Sequence, residues 1–157
     1  MNTRNMVGAF LEHDNDILCI YRDKSKQLEP CKWAGVGGHM EHFEMNSPYA
    51  ACIREIKEET GIEEKNVLDL KMKYITINNK DDEVRIAFYF FGKLTNKIPL
   101  SETGEGILKW IPKSEVLSYN LSNNVKSILE HWLTHNEEKI YVCTINNEEC
   151  TYKILPI

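Results

Sequence analysis

Three glutamates, Glu55, Glu58 and Glu59, stand three and four residues apart, a spacing that on a helix sets them along one edge. Such an edge is costly as it stands. Each like-charged pair opposes the helix, and Glu58 and Glu59 fall near its C-terminus, where the helix dipole already disfavours anions. A hard divalent cation on that face would remove the penalty, and an oxygen-only donor set suits Mg²⁺ or Mn²⁺. Arg54 directly precedes Glu55, and its planar guanidinium can hold neighbouring carboxylates in a fixed orientation. Upstream, Gly35, Gly37 and Gly38 occupy three of four positions, which allows a tight backbone path and close approach to a ligand. Glu41 and Glu44 add two loop carboxylates. An acidic helix alone is more often a solvated face; the glycines, the loop carboxylates and the order Arg-Glu-x-x-Glu-Glu-x-Gly together point to metal-assisted chemistry.

These residues need a helix and a rigid support. Ser47 and Pro48 read as N-cap and first helical residue, and Gly61 as the C-terminal cap. Before them, 6–11 and 17–22 form a hairpin around His13-Asp14-Asn15-Asp16, followed by loop over 23–32 and 39–46. After them, 67–77 and 84–94 are rich in β-branched and aromatic residues and flank a polar turn at 78–82. Residues 97–106 read as loop, 107–111 as a strand and 112–117 as a short helix opened by Pro112. The stripe Val125, Ile128, Leu129, Trp132 marks a helix over 123–135, and 139–145 with 150–155 close the chain as a hairpin. Strands and helices interleave without a regular βαβ period, which predicts a mixed sheet flanked by helices in one domain spanning 1–157.

Composition narrows the partners. With 157 residues, 42% hydrophobic and 27% charged, the chain fits one globular domain. A net charge of −5 argues against a nucleic-acid polymer, which draws its affinity from Lys and Arg on phosphates. A small phosphorylated ligand remains compatible, because a carboxylate-bound cation supplies the positive charge. No run reaches the length of a membrane span, and the apolar start at 6–11 is too short for a signal peptide, so a cytoplasmic protein without a membrane partner is expected. Five scattered cysteines with no CxxC pair read as reduced thiols, with Cys143 and Cys150 able to face each other across the terminal hairpin. His131 and His135, four apart, lack the carboxylate of a metalloprotease motif and read as surface histidines.

Residues 38–62 resemble the Nudix box: Gly, five residues, Glu, seven residues, then Arg-Glu, an aliphatic residue, any residue, Glu-Glu, any residue, Gly and an aliphatic residue. Gly38 and Glu44 keep the spacing, and 54–62 matches every fixed position. Between Glu44 and Arg54 there are nine residues rather than seven, an apparent two-residue insertion at Met45-Asn46. The resemblance extends more weakly to 32–38 and 108–112, which are similar to MutT-type members. It implies an α/β/α sandwich around a mixed sheet, with Glu55, Glu58, Glu59 and the carbonyl of Gly37 or Gly38 as ligands of Mg²⁺ or Mn²⁺. A further ligand from Glu102 or Glu105 is expected, and the general base stays open among Glu44, Glu55 and a loop carboxylate.

The same resemblance implies hydrolysis of a diphosphate linkage in a nucleotide-like small molecule. The proline or tyrosine that ADP-ribose and diadenosine-polyphosphate enzymes tend to carry some sixteen residues after the box is missing here. Asn78 stands at that distance, and Tyr74 comes earlier. MutT-type nucleoside triphosphate pyrophosphohydrolases, including those acting on 8-oxo-dGTP, fit the layout better. Gly37 and His39 are candidate phosphate contacts, and Asn120, Asn123 and Asn124 candidate base contacts, since an amide both donates and accepts. The competing readings are an ADP-ribose or nucleotide-sugar pyrophosphatase, a nucleotide-sensing module without turnover, and an interaction domain that ignores Mg²⁺.

Overall fold

The computed structural model describes residues 2–22, 31–80, 82–100, 102–104, 106–135, 137–146 and 149–155. Strand β1 (Asn2–His13) turns through Asp14, which adopts φ 53°, into β2 (Asp16–Tyr21). Aspartate tolerates this left-handed conformation better than most side chains. Short β3 (Trp33–Ala34) pairs with β2. Helix α1 (Pro48–Thr60) follows, then β4 (Val67–Lys80) and β5 (Glu83–Leu94), a long antiparallel pair. Strands β6 (Glu102–Thr103) and β7 (Gly106–Pro112) precede helix α2 (Asn123–Thr134), and β8 (Ile140–Asn146) and β9 (Glu149–Leu155) end the described chain.

One mixed sheet runs in the order β6-β7-β2-β1-β5-β4-β8-β9, with β3 beside β2. The pairs β1/β5 and β4/β8 are parallel and the rest antiparallel. Alternation along the strands sorts the core into two layers. Val7, Ala9, Leu11, Leu18 and Ile20 pack with Ala51, Cys52 and Ile56 of α1. Phe10, Ile17, Cys19, Tyr74 and Phe91 pack with Val125, Ile128 and Leu129 of α2. The helices therefore cover opposite faces of one sheet, the expected α/β/α sandwich.

The helix boundaries match their punctuation. Gly61 takes φ 73°, a left-handed cap that suits glycine, and its N–H donates to the Lys57 carbonyl at 2.8 Å. Ser47 caps α1 through its backbone alone, its carbonyl accepting the Ala51 N–H at 3.2 Å, while its hydroxyl makes no cap hydrogen bond.

Several boundaries differ from the sequence reading. The segment 23–30 lies outside the described residues. A 3-10 turn at His42–Glu44 interrupts the 39–46 loop. Residues 78–80, read as part of a polar turn, are strand, because cross-strand pairing continues to Lys80↔Glu83 and overrides the low β-propensity of asparagine. Within 97–106, β6 forms by pairing Glu102 with Ile107. Pro112 ends β7 instead of opening a helix, and the helix expected over 112–117 reduces to a 3-10 turn at Val116–Ser118. In the terminal hairpin the register sets Cys143 opposite Tyr152 and Cys150 opposite Ile145, so the two cysteines do not face each other.

Candidate active site

The loop before α1 and the middle of that helix meet at Arg54. Its Nε and Nη2 donate to the two oxygens of Glu44 at 2.7 and 2.8 Å, a bidentate pair. Its Nη1 donates to both Glu55 Oε1 and Glu58 Oε2 at 2.8 Å, and Nη2 also reaches the His39 carbonyl at 3.0 Å. One guanidinium thus fixes three carboxylates and the backbone beside the glycines. Glu44 is buried, and the paired guanidinium holds its carboxyl below the usual carboxylate range against the opposing effect of burial. The Glu41 N–H adds a hydrogen bond to Glu44 Oε2 at 2.9 Å. Glu55 moves the other way: burial raises its pKa, and Arg54 offsets this only in part. Glu58 is the exposed member of the set.

The glycine turn is stitched to β1. Val7 N–H donates to the Gly38 carbonyl at 2.9 Å, and Ala9 and Val36 exchange hydrogen bonds at 2.7 and 3.0 Å. Gly37 adopts φ 151°, and a Cβ there would lie 2.1 Å from the Val7 carbonyl oxygen, so no side chain fits. At Gly38 a Cβ would stand 2.7 Å from Glu55 Oε2. The helix carboxylate rests in the space that this glycine leaves open.

Glu59 meets the same turn from one helical turn further on. Its Oε2 accepts the Gly37 N–H at 2.7 Å, and its Oε1 lies 3.2 Å from Arg22 Nη2, which also donates to the Gly37 carbonyl. Both charged residues are buried. Arg22 did not emerge from sequence reasoning. It follows an apolar strand, and nothing in its neighbours signals a partner on a distant helix.

The carboxylate edge expected from spacing is therefore arranged in two pairs: Glu55 and Glu58 share Arg54, whereas Glu55 and Glu59 both touch the glycine turn. Among the described residues no three metal-ligating side chains gather round one point, since Arg54 stands between Glu44, Glu55 and Glu58. The donor chemistry nevertheless fits a hard cation. Glu55 packs against Gly38, Glu58 shares Arg54 with it, and the Gly38 carbonyl has a second lone pair beyond its bond to Val7. Glu102 stands on β6 with its side chain outside the described residues, and Glu105 lies wholly outside them.

On the α2 side of the sheet a cleft starts at Gly37 and Gly38 and crosses β1, β5, β4 and β8. Asn78, Arg85 and Asn124 give it polar walls, and Tyr89, Val125 and Ile145 apolar ones. Of the expected base contacts, Asn124 lines this cleft, its Oδ1 accepting from Ser122 Oγ at 2.5 Å. Asn123 is exposed at the start of α2 and does not line the cleft, and Asn120 donates to the Cys31 carbonyl at 2.9 Å. His39 pairs with Met6 through its backbone, while partial burial and then Arg4 lower its pKa. Arg85 is a cleft residue that the spacing of motifs could not reveal, whereas Asn78, noted for its distance from the box, lines the same cleft.

This fold and box define a class. A NUDIX domain model matches residues 2–132, and the chain belongs to the NUDIX family of hydrolases, whose members use divalent metal cations. The mutator MutT protein of Bacillus halodurans superposes with a TM-score of 0.74 at 23% identity, over 96% of this chain and 97% of that one. A NUDIX family hydrolase from Clostridium perfringens gives 0.61 at 23%, over 87% and 100%. The NUDIX domain of Shewanella oneidensis NrtR, solved with ADP ribose, gives 0.65 at 16%, over 87% and 89%. Among the described residues no helix is long and apolar enough to cross a membrane.

Proposed function

We propose that this chain is a Mg²⁺- or Mn²⁺-dependent pyrophosphohydrolase that acts on a nucleoside triphosphate and releases nucleoside monophosphate and pyrophosphate. The observation that carries the reading is the Arg54 clamp on Glu44, Glu55 and Glu58, in which Glu55 packs against Gly38, a glycine that also lines the cleft. A diphosphate resists attack because its oxygens are negatively charged, so cleavage needs charge neutralisation and a positioned water. A bound divalent cation supplies both. Glu55 and Glu58, with the Gly38 carbonyl, are the residues to hold it. Glu59, expected with them as a ligand, also meets the turn through the Gly37 N–H and Arg22.

Glu44 gives both oxygens to Arg54 and stays ionised, which suits a positioning carboxylate. Glu55 is held by Arg54 against Gly38, which suits a metal ligand beside the glycine turn. The nucleobase would enter the cleft between Tyr89, Asn78, Arg85 and Asn124, with its phosphates toward Gly37 and Gly38. A second reading, cleavage of an ADP-ribose-type dinucleotide, draws support from the Shewanella oneidensis domain solved with that molecule.

Product identification separates the two. Nucleoside triphosphates, 8-oxo-dGTP, nucleoside diphosphates and ADP-ribose are incubated with the protein and Mg²⁺. Monophosphate plus pyrophosphate from triphosphates supports the proposal, AMP plus ribose phosphate from ADP-ribose replaces it with the second reading, and no release from any substrate removes both.

A further inference from the structure

The far wall of the cleft comes from a stretch of chain that the family model does not reach. That match ends at residue 132, and β8 lies beyond it, parallel to β4 in the register Tyr74↔Tyr141, Thr76↔Cys143 and Asn78↔Ile145. Side chains alternate along a strand, so the three pairs share a face. It is the face of α2, because Tyr74 and Tyr141 belong to the α2 core.

The rows change character in order. Tyr74 and Tyr141 stack with ring centroids 5.6 Å apart and planes 22° apart. Thr76 and Cys143 are both buried, and Asn78 and Ile145 line the cleft. The aromatic row anchors the hairpin, and the third row faces whatever fills the cleft. From β1, where the glycine turn is bound, to β8 are three interstrand spacings, on the order of 14 Å. A ligand with its phosphates at Gly37 and Gly38 therefore meets β8 with its opposite end.

We propose that Ile145 is a specificity-determining residue: it is the apolar stop that limits how large a nucleobase the cleft accepts. The inference rests on the nucleotide reading above and adds the base-size limit to it. The occupant is a planar heteroaromatic ring. Asn78 offers both a donor and an acceptor to its edge, Arg85 offers donors, and Ile145 offers only contact. A branched aliphatic wall discriminates by volume, and one methylene in such a pocket changes selectivity by roughly 10- to 200-fold.

The test uses the full chain with Ile145→Ala and Ile145→Phe. Binding of GMP, CMP and the ring-extended ethenoadenosine monophosphate is measured by titration calorimetry, alongside KM and kcat on the matching triphosphates. The Ala variant should bind ethenoadenosine monophosphate about tenfold more tightly than the native chain does. The Phe variant should lose about tenfold for GMP and less than about threefold for CMP. If the Phe variant fails to fold, the Ala gain decides alone. Native protein that binds nucleotides while both variants keep its base preference overturns the inference and leaves the pyrophosphohydrolase reading standing. Native protein that neither binds nor cleaves any nucleotide overturns both.

Discussion

Replacing Arg22 by methionine removes a guanidinium held 3.2 Å from Glu59 in a site where both side chains are more than nine-tenths buried. The same change cuts the hydrogen bond to the Gly37 carbonyl. Breaking a buried ion pair from one side costs about 3–5 kcal/mol, because the remaining charge stays out of water with less compensation. For a domain of this length each kcal/mol moves Tm by roughly 2–4 °C, so Arg22→Met should lower Tm by about 10 °C. The double variant Arg22→Met/Glu59→Leu removes both charges and should regain much of that loss. Urea unfolding of the native chain, both single variants and the double variant provides the cycle. A cost for Arg22→Met below about 1 kcal/mol, or a double variant no more stable than the weaker single one, would refute the buried-pair reasoning.

Other changes read the site more locally. Gly38→Ala puts a methyl 2.7 Å from Glu55 Oε2 and should displace that carboxylate; turnover should fall about 10²-fold while the urea midpoint shifts little. Glu44→Gln leaves Arg54 without its bidentate partner and should lower kcat by about 10²-fold, measured under saturating Mg²⁺. The same pair sets an acid limb. Since the Glu44 pKa is depressed in the folded state, its stabilisation is complete above about pH 4.3 and is lost as pH falls through the folded value. The stability gap between the native chain and Glu44→Gln should therefore shrink at low pH in urea titrations. Burial pushes the Cys19 thiol up to about 12, so iodoacetamide at pH 8 should label native protein and Cys19→Ser to the same extent.

Much of this site is local in the chain, which is why it was legible. The spacing of Arg54, Glu55 and Glu58 falls within two helical turns, and Pro48 and Gly61 punctuate the helix that carries them. Gly37 and Gly38 announce a backbone too tight for side chains, and the apolar runs at 6–11 and 17–22 announce the β1/β2 hairpin. What stayed hidden depends on partners distant in sequence. Arg22 and the Gly37 N–H meet Glu59 at the turn, contacts that helical spacing does not disclose. Asn78 and Arg85 lie in a stretch whose polar composition reads as loop or strand end; only the pairing of β4 with β5 and β8 turns them into cleft walls. Pro112 carries no mark that separates a strand end from a helix start, and its pairing with Asp16 decides the matter.

Mn²⁺ titration of the nucleotide-free protein, followed by electron paramagnetic resonance, asks most directly whether the clamped carboxylates hold a divalent ion. The native chain should bind Mn²⁺, and Glu55→Gln and Glu58→Gln should each weaken that binding by about tenfold or more while the fold persists. Equal Mn²⁺ affinity in all three proteins would contradict a metal centre at this helix.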